Sequence, residues 1–130
     1  MATNIFSNRS ADNFRIFRSG EIAAPADGQY NIIKIPRFAL VKNVWVWVST
    51  AFTDSGTPAT LIVGWAGNAT SAVANYFFAT GTAVAITTGV YASGNAMYFN
   101  TAPGYITVTT AKHSGTAGTF IVFADFTVIH

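Results

Sequence analysis

Apolar residues in this chain recur at every second position and almost nowhere at helical spacing. No long window carries a clean i, i+3, i+4, i+7 apolar pattern, and the Thr, Val, Gly and Asn content opposes one. The alternation predicts strands. The short run Phe14–Arg18 reads as an arm or an edge strand, and Tyr30–Ile35 as a strand stopped by Pro36, which has no N–H for a ladder. Leu40–Phe52 holds the strongest signal of the first half. There Val44, Val46 and Val48 point one way and Trp45 and Trp47 the other, so both faces need cover.

The turn residues at 54–58 then send the chain back, and Thr60–Ala66 is expected as the hairpin partner of that strand. Residues 67–75 read as a loop with at most one helical turn. Short strands are expected at Tyr76–Ala79, Ala83–Thr87 and Met97–Phe99, and a cleanly alternating one at Tyr105–Thr110. Residues 113–118 have the composition of a compact hairpin turn. The last strand, Thr119–Ile129, is apolar on both faces. Seven to nine strands with frequent turns point to an all-β fold, a β-sandwich or jelly-roll-like domain. The organisation expected is an irregular or extended N-terminal segment, 1–29, followed by one sandwich domain, 30–130.

Charge changes this picture. Only 9% of the 130 residues are charged, seven basic and five acidic, against about 25% in an ordinary soluble domain. No charged residue lies between Asp54 and Lys112, while six of the seven basic residues fall within the first 42 positions. Surfaces buried in permanent contacts lose Lys, Glu and Asp at their centres. The scarcity therefore points to an exterior partly covered by other protein. Nucleic acid is not indicated, because the basic residues form no dense patch and Asp12, Glu21 and Asp27 dilute them. A membrane span is not indicated either, because Gly, Asn, Pro and Thr interrupt every apolar stretch before about 20 residues. There is no cysteine, and the N-terminus lacks a basic-then-apolar export pattern.

Candidate chemistry is thin. His113 and His130 stand in no metal-ligand spacing, and no nucleophile elbow, phosphate loop or dinucleotide fingerprint occurs. Of the carboxylates, Asp12, Asp27 and Asp54 neighbour turn residues. Asp125 stands inside an apolar strand, where it pairs with a base such as Arg37 or Lys42, faces solvent, or meets a partner. No enzyme activity and no cofactor are expected. Two glycosylation-type triplets, Asn8-Arg9-Ser10 and Asn68-Ala69-Thr70, carry little weight. The residues best suited to hold a partner are Arg9, Arg15 and Arg18 in the basic segment and the tryptophans Trp45, Trp47 and Trp65, since Arg and Trp dominate interface energetics.

A resemblance adds to this. Residues 35–69 carry Ile35-Pro36, an alternating Val/aromatic strand Val44–Phe52, the turn Ser55-Gly56-Thr57, and Leu61-Ile62-Val63-Gly64-Trp65-Ala66-Gly67-Asn68. With the closing run SGTAGTFIVFADFTVI, 114–129, this resembles small bacteriophage virion structural proteins over about half of the chain. The resemblance implies a capsid decoration (cement) protein made in the bacterial host cytoplasm and placed on the capsid surface. Its implied partners are itself, as a homotrimer, and the major capsid protein. A carbohydrate-binding or tail receptor-binding module, and a major shell subunit, remain as alternatives, so a glycan is a second candidate ligand.

Overall fold

The computed structural model describes residues 15–23, 26–53, 59–79, 88–111 and 116–129. These form ten strands and no helix: β1 (Arg15–Arg18), β2 (Ile22–Ala23), β3 (Gly28–Ile35), β4 (Ala39–Thr50), β5 (Thr60–Gly67), β6 (Thr70–Phe78), β7 (Gly89–Ser93), β8 (Met97–Phe99), β9 (Gly104–Ala111) and β10 (Thr119–Val128). Two antiparallel sheets result. The first runs β1-β10-β4-β7, with β2 following β1 along β10 and β8 following β7 along β4; the second runs β3-β9-β5-β6. The all-β, sandwich-like architecture read from the alternation is the one observed.

The core lies where the alternation puts it. Val44, Val46 and Val48 of β4 are fully buried, as are Phe120, Val122 and Ala124 of β10. Across the gap they meet Ile35, Leu61, Val63, Ile106 and Val108 of the second sheet. Each such side chain contributes about 1.5–3 kcal/mol by leaving water. Rings fill the two ends: Trp65 packs edge-on against Phe99 at 5.9 Å, and Phe52 tilts against Phe120 at 5.9 Å. Gly118 is required beside that second pair, since its φ is 138° and a Cβ there would lie 2.4 Å from the Phe52 ring.

A bulge sets the register of the central pair. Phe126 faces Val41 and Asp125 faces Asn43, which leaves Lys42 as an extra residue on β4. The inserted residue flips the pleat, so Val41 and Val44, three apart, both reach the core. Without it, one half of β4 would turn its valines to solvent.

Four sequence expectations need correction. β5 does not pair with β4: both edges of β4 are occupied, by β10 on one side and by β7 and β8 on the other, and β5 pairs with β9 and β6 in the opposite sheet. For the same reason β9 and β10 are no hairpin, since they belong to different sheets. Residues 67–75 are no loop. Asn68 and Ala69 make a two-residue turn with φ of 57° and 53°, and β6 starts at Thr70. β7 was not expected at all. The expected strand Ala83–Thr87 lies outside the described residues.

The N-terminal stretch 15–23 runs along β10. Arg15–Arg18 pairs with Phe123–Phe126, and Ile22 pairs with Phe120. Between them Ser19 replaces a strand residue. Its N–H donates to the Val122 carbonyl at 2.8 Å, and its Oγ accepts from the Val122 N–H at 3.0 Å. One side chain thus keeps the β10 ladder satisfied across the break.

Candidate interaction surface

The described residues hold little that could do chemistry. No three of their His, Cys, Asp or Glu side chains gather around a point where a metal ion could bind. His113, His130, Asp12 and Asp54 lie outside the described residues. Arg37 does not reach Asp125: its Nε donates to the Asn100 carbonyl at 3.3 Å, and its guanidinium lies 4.6 Å from the centre of the Phe38 ring. Asp125 sits half-buried on β10, between Asn43 of β4 and Ile16 of β1. Its Oδ1 is buried, with no hydrogen-bond partner among the described residues.

The outer face of the first sheet is where apolar surface collects. Directly opposed residues of antiparallel strands point to the same side, so the register defines this face row by row. One row crosses Val90, Trp47 and Ile121, and the next crosses Ala92, Trp45, Phe123 and Arg18. The third joins Asn43, Asp125 and Ile16. Val90 is 69% exposed, Ile16 66% and Trp47 42%, while Trp45 and Phe123 are half-buried. A run of large apolar side chains across four strands is unusual on a lone soluble domain and marks a site of contact.

The six residues singled out for a partner separate clearly. Trp45, Trp47 and Arg18 share this outer face. Arg15 belongs to β1, opposite Phe126. Trp65 is a core residue at 6% exposure, with its indole N–H buried and unpaired, so its bulk is spent inside the protomer. Its neighbours explain this: Trp65 alternates with Gly64, whose missing side chain lets β6 cross on the outer side. A Cβ on Gly64 would lie 1.9 Å from the Val73 carbonyl oxygen. Arg9 lies outside the described residues. Sequence reasoning did not single out Val90 or Ile16, since each is an isolated apolar residue until register sets it beside the tryptophans.

At the β5–β6 turn a polar knot ties the two sheets together. The Asn68 Oδ1 accepts from the Thr101 N–H at 3.1 Å and from its hydroxyl at 2.9 Å, and the Asn68 Nδ2 donates to the Tyr98 carbonyl at 3.1 Å. Asn68 is 5% exposed, so this glycosylation-type triplet is a structural turn. A second tie joins β6 to the residues between β7 and β8. There the Asn95 Nδ2 donates to the Tyr76 carbonyl at 2.8 Å and the Tyr76 hydroxyl donates to the Ala96 carbonyl.

A fold like this one also occurs in solved virus shells. A chain in the acidic stable capsid structure of Helicobacter pylori bacteriophage KHP30 superposes with a TM-score of 0.69 at 15% identity, over 88% of this chain and 87% of that one. This fold is shared with phage capsid chains. The capsid asymmetric unit of cyanophage Pam1 holds another, with a TM-score of 0.69 at 17% identity, over 90% of this chain and 86% of that one. The capsid of Ralstonia phage GP4 holds a third, at 0.64 and 20% identity, over 90% and 85%. At such identities the likeness is one of fold. No protein-family model matches the sequence, and no curated protein does.

Proposed function

We propose that this protein is a structural component of a phage particle, a capsid decoration protein that stabilises the head by burying surface. The observation that carries the reading is mutual coverage. The phage capsid chains match nearly all of this chain and nearly all of their own length, so each is a single sandwich of this size. With β1 and β2 counted as one strand, and β7 and β8 as another, the strands alternate between the two sheets along the chain except at the β5–β6 hairpin. We read that alternation as a jelly roll of two Greek keys. The low charge content and the exposed apolar face fit a protein whose partners are copies of itself, a trimer in this reading, and a major capsid protein. Arg9 and Arg15 would supply contacts to acidic groups of the shell. Of the N-terminal segment 1–29, the stretch 15–23 pairs along β10 and belongs to the body, so the residues before Arg15 would be the ones to reach toward neighbours.

A glycan-binding module is the reading to weigh against this one, because Trp45 and Trp47 lie side by side on one face. Their directly opposed residues are Val90, Ala92, Ile121 and Phe123, which are all apolar, and the polar groups of the face, Arg18, Asn43 and Asp125, stand away from Trp47 towards the β1 side. That lining favours protein.

Quantitative mass spectrometry of purified particles tests the proposal. A decoration protein is present at a fixed ratio to a distinct, larger shell subunit, and its removal leaves a shell that bursts at lower temperature. A copy number showing that this chain itself builds the shell would replace decoration with shell subunit. A monodisperse monomer absent from any particle, with hits on a glycan array, would end the virion reading.

A further inference from the structure

We propose that the outer face of the β1-β10-β4-β7 sheet is the contact surface between copies of this chain, with Arg18 of one copy meeting Asp125 of the next. The inference rests on the reading of the protein as an assembly component and names the partner of that face. Three features of the face select a second copy.

The first is its chemistry. Val90, Trp47, Trp45, Phe123 and Ile16 make an apolar strip, and an occupant must bring apolar surface of its own. The same strip on another copy supplies it.

The second is charge. Within these three rows there is one carboxylate, Asp125, and one guanidinium, Arg18, both towards the β1 edge. Asp125 Oδ1 is buried without a donor among the described residues, and Arg18 is exposed. A carboxylate oxygen buried without a donor is costly until one meets it. Lys42, the bulge residue beside Asn43, adds a second cation to this face, and a face that carries both signs of charge complements itself. A two-fold contact between such faces brings the Arg18 of each copy to the Asp125 of the other.

The third is area. Counting β2 as the continuation of β1 and β8 as that of β7, four columns of strand spaced about 4.8 Å apart, over about eight residues of about 3.3 Å each, present about 500 Å². Two such faces in contact bury about 1,000 Å², the lower limit for a specific interface.

The test uses the full chain. Light scattering on the wild type should give a multiple of the 13.8 kDa chain mass. Val90→Asp, which changes the most exposed residue of the strip, should reduce the mass to one chain while the β-type circular dichroism is kept. Val73→Asp, on the other sheet, should leave the mass unchanged. Because the chain has no cysteine, Arg18→Cys mixed with Asp125→Cys under mild added oxidant should give a disulfide-linked pair that neither variant gives alone. A wild type of one-chain mass, a folded Val90→Asp of unchanged mass, or no mixed disulfide overturns the proposal. If Val90→Asp fails to fold, Arg18→Glu decides by the same mass criterion.

Retention on purified particles is measured separately. Monomers that still bind particles sink this inference and leave the virion reading standing. An oligomer broken by Val90→Asp that binds no particle does the reverse.

Discussion

Asn68 concentrates more structural consequence than any other polar residue of the described chain. It adopts a left-handed φ of 57°, lies buried, and joins the β5–β6 turn to Tyr98 and Thr101 through both ends of its amide. Asn68→Ala should cost about 1–2 kcal/mol, since it removes the part-buried hydrogen bonds to the Thr101 N–H and the Tyr98 carbonyl. Urea unfolding would show this as a lower midpoint with an unchanged slope. The next residue predicts the opposite sign. Ala69 holds a φ of 53°, where a Cβ costs about 1–2 kcal/mol. Ala69→Gly should therefore stabilise by up to about 1 kcal/mol after the entropy cost of glycine, seen as a higher melting temperature. This pair also explains a misreading. The hairpin signal is Asn-Gly, and Asn-Ala before the weak strand formers of TSAVAN does not announce a turn of that kind.

Strands were legible where alternation was strong, and their neighbours were not. β4, β9 and β10 stand at the positions their patterns indicate, and Val44, Val46 and Val48 are buried as the alternation selects, while Val41 joins them only through the bulge. β7 escaped notice because five residues with one valine and one tyrosine carry too little periodicity; β4 defines that strand by pairing with it. Pairing depends on which edges are open, and no local pattern records that. Ser19 shows the same limit at finer grain, since nothing near it marks it as the acceptor for an amide 103 residues away. Ser19→Ala should remove that acceptor and cost about 1–2 kcal/mol. The Val122 amide should then exchange faster with deuterium, while amides of the β5–β9 pair keep their protection. Equal loss of protection in both sheets would mean that the bond is not local in effect.

At the scale of the molecule, the topology sets how the chain must fold. Nearly every connection changes sheet, and the last strand is bordered by the first described strand and by β4. Little can form locally: of the ladders in the two sheets, β5–β6 alone joins strands linked by a tight turn. Loop closure must therefore be paid for before most contacts form, which places folding in the slow range, about milliseconds to seconds. This also says why the candidate surface was only half legible. Trp45 and Trp47 declare an apolar outer face by themselves, but Ile16 and Val90 join it only when strands distant in sequence have paired. The same argument makes a prediction. Phe17 stacks on Phe126 at 4.5 Å, and β1 covers the edge of β10. A chain started at residue 21 would leave that edge open to pairing with other chains. Stopped-flow refolding followed by tryptophan fluorescence should show the same main phase for both chains if β1 docks last. The shortened protein should then aggregate from its folded state, at a rate that rises with concentration. A main phase slowed several-fold would instead place the β1–β10 contact in the folding nucleus.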